Sequence, residues 1–167
     1  MPAAKLAPRQ PLPFQLSLRI RHLSMDPAVI SKELGIKPEH SFRAGQPRPS
    51  RSGAGPATVH AESYWLAPLN PASWFENPSF SEPLLAITQK HIDAALAQNL
   101  AGALGLCAVH LKSKHASLLQ TIRAEGGEAS LLVTLSPTDV DTFVLPPQTS
   151  RIFGELGITL EFEITND

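Results

Sequence analysis

The residues best suited to chemistry lie between positions 43 and 65, where arginines, a histidine and aromatic residues follow one another closely. A guanidinium offers a planar fork of donors that matches a carboxylate or a phosphate, and backbone amides freed by Gly45 can assist. Tyrosine and tryptophan side chains can wall such a pocket and add stacking or cation–π contact. The candidate ligand-binding residues are Arg43, Arg48, Arg51, His60, Tyr64 and Trp65.

The same residues also have a purely structural interpretation. In it, Arg43 or Arg48 pins the loop to backbone carbonyls or to an acid, while Trp65 fills the core. His60 and Glu62 fall on the same strand face as Tyr64, which permits general acid–base chemistry, although solvated strand residues explain the pattern as well. The loop lacks the GxxxxGK[ST] order of a phosphate-binding P-loop.

Metal, cofactor and catalytic signatures are not found. The six histidines make no HExxH pattern, and a single cysteine disfavours a structural zinc site. Asp139 and Asp141 are too few ligands for a calcium loop, and no GxSxG nucleophile elbow occurs. Cys107 lies among apolar residues, which indicates a buried, unreactive thiol. We therefore predict no metal, no cofactor and no catalytic residue.

Four segments show the alternation of apolar and polar residues that is typical of a strand with one buried face. In Phe14–Ile20 the apolar residues are Phe14, Leu16, Leu18 and Ile20. The same pattern predicts strands over 58–66, 128–136 and 158–165. Residues 67–83 are rich in proline and predict no regular element.

Two helices share one ending, Leu-Gly-Ile. In the first, Asp26 is suited to the N-cap and Pro27 to the first helical position, and Gly35 can adopt the left-handed conformation that ends a helix. The second helix, over 145–157, begins at a proline and ends at Gly157. Each helix lies between two predicted strands, so each belongs to a strand–helix–strand unit.

These elements predict an α+β fold. Two β-α-β halves, 14–66 and 128–165, are separated by an inserted helical pair at about 83–104 and 112–125, with 105–111 ambiguous. The predicted architecture is a split β-α-β, ferredoxin-like sheet with helices on one face only. In that topology the first strand is central and the last strand lies antiparallel beside it. Residues 1–13 would form a flexible proline-rich tail, and residues 14–167 a single domain.

The open face of this sheet decides the meaning of the charge distribution. Residues 1–52 hold nine Lys or Arg and three Asp or Glu, whereas residues 124–167 hold one arginine and eight acids. Such asymmetry can mark a docking patch, but the predicted fold places Arg19 and Arg21 beside Glu161 and Glu163, so we favour neutralisation within the sheet. The face has no aromatic residue, which argues against RNA binding of the RRM type. Its predicted members are Gln15, Ser17, Arg19, Arg21, Ser130, Leu132, Thr134, Glu161 and Glu163.

Four segments of the chain together carry a family resemblance: "LSLRI", "DPAVISKELGIKP", "SFRAGQPR" with a later "SYW", and "LPPQTSRIFGELGITLEFEI". Through them the chain resembles a bacterial family of domains of unknown function, catalogued as four-two-seven-nine. They cover nearly everything after residue 13, while the leader and the 67–83 loop depart from the shorter members. The resemblance implies a compact α+β domain, and it supplies no catalytic residues.

The function that we predict is a non-enzymatic cytoplasmic module that binds a protein partner, as an immunity or regulatory protein does, or a small anionic ligand. The alternative is an enzyme that acts on a phosphorylated or carboxylated substrate through Arg43, Arg48, His60 and Glu62. A third possibility is a homodimer formed through an exposed edge strand, Thr58–Leu66. A net charge of −1 and the absence of an apolar run of about 18 residues predict neither nucleic-acid nor membrane partners.

Overall fold

The computed structural model describes residues 14–48, 58–71, 99–136 and 143–165, and every structural statement below concerns these residues. The predicted α+β class is confirmed. The predicted strands and the two Leu-Gly-Ile helices are found within about two residues of their expected limits, except that the strand predicted over 58–66 runs from Ser63 to Leu69. The elements in chain order are β1 (Phe14–His22), α1 (Pro27–Leu34), β2 (His40–Phe42), β3 (Ser63–Leu69), α2 (Leu100–Ala124), β4 (Glu128–Leu135), α3 (Pro147–Leu156) and β5 (Ile158–Ile164).

The five strands form one mixed sheet in the order β2-β3-β1-β4-β5. β1 is antiparallel to both β3 and β4, whereas β4 and β5 are parallel. The predicted position of the last strand beside the first is therefore wrong. β4 occupies that edge of β1, and the crossover through α3 returns the chain parallel to β4 on its far side.

The first half of the chain also differs from the predicted unit. β2 and β3 pair as antiparallel neighbours, so β3 runs antiparallel to β1 rather than parallel to it. Residues 58–66 were expected to supply a free edge, yet β3 lies between β2 and β1. Among the described strands, the edges are β2 and β5.

Every second residue of the central strand β1 is buried, from Phe14 to His22. The apolar members of this series belong to a single hydrophobic cluster with residues of β3, β4 and all three helices. The alternate residues of β1, such as Arg19 and Arg21, are half-buried on the opposite face, which we call the open face. The helical contribution to the cluster comes mainly from Ile30, Leu34, Leu104, Cys107, Leu111, Leu119, Ile122, Ile152, Phe153 and Leu156.

Residues 100–124 form one continuous helix rather than separate segments at 105–111 and 112–125. Its first turn is capped by Asn99, whose Oδ1 accepts the N–H of Gly102 at 2.7 Å. Gly102 and Gly105 weaken a helix by about 1 kcal/mol each, which is why the pattern suggested a turn. Burial of neighbours such as Leu104 and Cys107 compensates for that cost. The earlier part of the predicted helical pair, and the tail over 1–13, lie outside the described residues.

Candidate functional site

Five of the six predicted ligand-binding residues lie on the β2–β3 hairpin or on its extension beyond β2. Beyond β2 the chain stays paired with the segment that precedes β3. The Gly45 N–H donates to the His60 carbonyl at 2.8 Å, and the His60 N–H donates to the Gln46 carbonyl at 3.0 Å. We call residues 40–48 and 58–66 together the hairpin arm.

A tight bend separates the two arginines of the hairpin arm. Gly45 has a φ of +81°, a backbone conformation that side chains with a Cβ rarely adopt. The bend is held by Gln46 Oε1, which accepts the Arg43 N–H at 2.8 Å, and by Ser63 Oγ, which accepts the Ala44 N–H at 3.0 Å. As a result, Arg43 and the arginine after the bend contact different neighbours.

Three rings of the hairpin arm stack side by side. The Phe42 ring lies 3.7 Å from His60 and 5.0 Å from Tyr64, measured between centroids, with interplanar angles of 20° and 10°. We call His60, Phe42 and Tyr64 the aromatic stack. Arg48 extends it, because its Nε donates to His60 Nδ1 at 3.3 Å. Arg48 is exposed and the three rings are half-buried, so this group forms a surface that a partner can reach.

Arg43 points to α1 instead of to the aromatic stack. Its Nη1 lies 3.2 Å from Asp26 Oδ2, while Asp26 Oδ1 caps the helix by accepting the Ala28 N–H at 2.9 Å. These two residues line an open cleft of about 490 Å³ that includes neither His60 nor Glu62. The geometry at Arg43 therefore matches the structural interpretation, in which an arginine pins the loop to an acid.

Trp65 does not contribute to a pocket on the hairpin arm. Successive strand residues point to opposite faces, so Trp65 faces the core while Tyr64 faces outward. The Trp65 side chain is 0% exposed, and its indole Nε1 donates to Ser31 Oγ at 2.9 Å. Trp65 therefore lies where the structural interpretation places it, in the core. Arg51, the remaining candidate, lies outside the described residues.

His60 and Glu62, the acid–base pair suggested by the sequence, are held by different neighbours. Glu62 Oε1 accepts hydrogen bonds from Arg21 Nε at 2.9 Å and Arg21 Nη2 at 2.6 Å. The hydrogen bond and the charge of Glu62 raise the pKa of Arg21. His60, in turn, is held by Phe42 and Arg48. His60 and Glu62 therefore contact different partners.

The open face is partly as expected and partly different. Arg19 hydrogen-bonds Glu161, as predicted. Arg21 was expected beside the β5 glutamates, but it contacts Glu62 and, at 3.6 Å, Glu128. The reason is the register, which places Arg21 opposite Glu128, before the β4–β5 pairing begins at Ala129 and Ile158, whereas Arg19 is opposite Ser130 within it.

Two aromatic residues also lie on the open face. In the register of the sheet, Phe42 is opposite Tyr64, and Tyr64 is opposite Arg21. The prediction of a face without aromatic residues is wrong. The absence of aromatic residues can therefore not be used as an argument against RNA binding of the RRM type. Sequence reasoning missed Phe42 because β2 has only three residues, too few to show alternation. The one available signal was an aromatic residue before the Gly45 bend and another after it.

The remaining candidate chemistry is limited within the described ranges. Burial raises the pKa of Cys107 to about 12, which keeps its thiol protonated at neutral pH. No group of three or more His, Cys, Asp or Glu side chains among the described residues could hold a metal ion. Nor does any helix in the described part of the chain have the length and apolar character needed to cross a membrane.

Comparison with known proteins assigns this chain to no family. No family model, no curated protein and no solved structure matches the chain. The resemblance to the four-two-seven-nine family stays a prediction.

Proposed function

We propose that this chain is a bacterial cytoplasmic binding module, without enzymatic activity, that docks a protein partner through the hairpin arm. The observation that supports this proposal most directly is the aromatic stack with Arg48 at its exposed end. Aromatic and arginine side chains contribute most of the binding energy in protein interfaces. A stack that is already assembled loses little conformational entropy when a partner covers it.

A protein partner fits this surface better than a small anion does. Recognition of a phosphate or a carboxylate depends on donors that converge on one point. Here Arg43 contacts Asp26, whereas Arg48 contacts His60 on the other side of the bend. The cleft beside Arg43 also contains the Asp26 carboxylate, which opposes the entry of a second negative charge.

The enzyme alternative assigns His60 and Glu62 to acid–base chemistry on a phosphorylated or carboxylated substrate. Two hydrogen bonds from Arg21 already occupy Glu62 Oε1 and hold the side chain against β1. Arg48 Nε donates to His60 Nδ1, so this ring nitrogen is already engaged as an acceptor. Both contacts are consistent with residues that shape a surface, and they support a binding role.

Within the binding role, an immunity or regulatory protein of the four-two-seven-nine family is the type that we favour. Such proteins act by covering a partner, and they need an exposed surface with fixed side chains rather than a deep cavity. The hairpin arm has these properties. A homodimer through an edge strand is the remaining alternative, and only β2 or β5 offers that edge among the described strands.

The proposal is tested by mass-spectrometric identification of proteins captured from native lysate on the tagged chain. We expect Arg48→Glu to reduce recovery of a specific partner at least tenfold, because it reverses the charge at the end of the aromatic stack. Arg151→Glu makes the same charge change at an exposed position of α3 and should leave recovery unchanged. Equal recovery with both variants would contradict the hairpin arm as the docking surface. Turnover of phosphoesters by the wild type that is lost in His60→Ala would contradict the absence of enzymatic activity.

A further inference from the structure

The edge strand β5 lies at the opposite end of the sheet from the hairpin arm. One side of its backbone pairs with β4 over the full register from Ile158 to Ile164. The other side pairs with no described strand. An unpaired row of backbone donors and acceptors is a template for another strand.

The core-side face of β5 is exposed at its carboxyl-terminal end. Phe162 is opposite Val133 and therefore belongs to the core side of the sheet, yet it is 46% exposed. Ile164 on the same face is 65% exposed, and Val144, just before α3, is 76% exposed. Phe162 contacts the ring of Phe143 at 5.5 Å between centroids. Large apolar side chains that are exposed together next to a free strand edge mark an interaction surface.

The opposite face of the same strand is acidic. Glu161 is bonded to Arg19, which reaches it across β4. Glu163 is exposed and has no ion pair with any described residue. The end of β5 therefore alternates apolar and acidic side chains, and only the inner glutamate has a cationic partner.

We propose that the β5 edge accepts an extended segment of a protein partner in which apolar and basic side chains alternate. Main-chain hydrogen bonds to the free edge would supply affinity, and the two faces would supply specificity. Apolar side chains of the segment cover Phe162 and Ile164, while a lysine or arginine lies beside Glu163. The fold already uses this arrangement internally, since Arg19 neutralises Glu161 across the sheet.

Charge argues against a second copy of this chain in the three registers centred on the exposed end of β5. Antiparallel pairing of two β5 strands centred on Phe162 would place Glu161 opposite Glu163. Centring the pair on Glu161 or on Glu163 would place that glutamate opposite itself. Like charges directly across a strand pair are destabilising, so the complementary occupant is a cationic strand.

The test uses two labelled peptides, acetylated and amidated, in which valine alternates with lysine or with glutamate over seven residues. Fluorescence anisotropy at low salt should show the Val/Lys peptide binding the full chain at least tenfold more tightly than the Val/Glu peptide. Glu163→Lys should reverse that preference. Glu39→Lys is the matched control, because Glu39 is exposed beside β2 at the other edge, and it should leave the preference unchanged.

Amide chemical shifts locate the bound peptide. Shifts confined to Phe162–Ile164 and the facing β4 residues support the proposal, whereas shifts in His40–Phe42 assign the peptide to the β2 edge and overturn it. Absence of binding, or equal affinity for both peptides, also overturns it. The proposal is also overturned if the wild type sediments as a dimer and the Phe162→Cys variant of that dimer forms a disulfide between the two chains. Arg48→Glu should not affect the peptide, so this proposal and the hairpin-arm proposal can fail separately.

Discussion

Two helices of this molecule end in the same residues, Leu-Gly-Ile, but the chain continues differently after each one. α1 ends at Gly35 with a φ of +67°, and α3 ends at Gly157 with a φ of +69°. After α1 the chain forms the short strand β2 and turns back into β3, antiparallel to β1. After α3 it enters β5 at once, parallel to β4.

The difference lies in the residues that follow the shared ending. Pro38 comes three residues after Gly35 and has no N–H to give to a strand, so pairing with β3 begins only after it, where the Glu39 N–H donates to the Leu66 carbonyl at 2.8 Å. Ile158 follows Gly157 directly and starts an alternating strand of seven residues. The glycine after each helix thus determines where the helix ends. The residues that follow the glycine determine whether the chain enters a long parallel strand or a short antiparallel one.

The largest expected effect concerns how firmly each helix covers the sheet. α3 buries Ile152, Phe153 and Leu156, while α1 buries Ile30 and Leu34 as its large apolar side chains. Phe153→Ala should lower the free energy of unfolding by about 3–5 kcal/mol, because it leaves a ring-sized cavity. Ile30→Ala removes a smaller side chain and should cost less, within about 2–5 kcal/mol. Urea denaturation measures both, and a greater loss for Ile30→Ala would show that α1 is the more important cover.

An intermediate effect is expected at the two terminal glycines. Alanine at either position adopts a left-handed conformation at a cost of about 1–2 kcal/mol. A Cβ at Gly35 meets no atom within 4 Å, whereas one at Gly157 meets Arg123 Cδ at 2.8 Å. Gly157→Ala should therefore destabilise the protein slightly more than Gly35→Ala in urea denaturation, because the flexible Arg123 side chain must move aside. In an Arg123→Ala background the two costs should become equal, and a persisting difference would contradict this steric explanation.

Much of the fold follows from the sequence because its signals are local. Asp26 and Gly35 bracket α1, and strict alternation identifies β1 and β5. Strand order is not a local property. β5 has the same alternation whether it lies beside β1 or beside β4, and nothing in its own residues distinguishes the two positions.

The candidate site was predictable to a similar degree. The strand pattern placed His60 and Tyr64 on one face, and the structure brings both into the aromatic stack. Strand parity also placed Trp65 on the other face, which is the buried one. The turn of Arg43 towards Asp26 depends on the bend at Gly45 and on the position of α1, and no spacing in the sequence encodes that distance.

The smallest expected effect distinguishes the two contacts that α2 makes with the neighbouring helices. His115 lies beside α1, and the His110 ring lies 5.5 Å from it between centroids; burial is the main cause that lowers the pKa of both histidines. The charge of the other histidine and of Lys114 lowers it further at His110, and at His115 the charge of Lys114 does so while Glu33 opposes the shift. On the α3 side, Lys112 Nζ donates to Glu155 Oε2 at 2.6 Å and lowers the pKa of that carboxyl.

These shifts predict that the two contacts lose their contribution to stability at different pH values. A histidine with a lowered folded pKa takes up its proton more readily when unfolded, so stability falls as the pH drops below about 6.5. Glu155 keeps its contribution until the pH falls below about 4.5, the ordinary value for a glutamate. Between pH 7.5 and 5.5, the double variant His110→Gln/His115→Gln should therefore lose less stability than the wild type, while Glu155→Gln should keep the wild-type slope. The differences should be small because solvent screens these half-exposed rings.

Urea unfolding across that pH range measures how the free energy of unfolding changes with pH. An unchanged slope in the double variant would show that the two histidines do not cause the acid sensitivity.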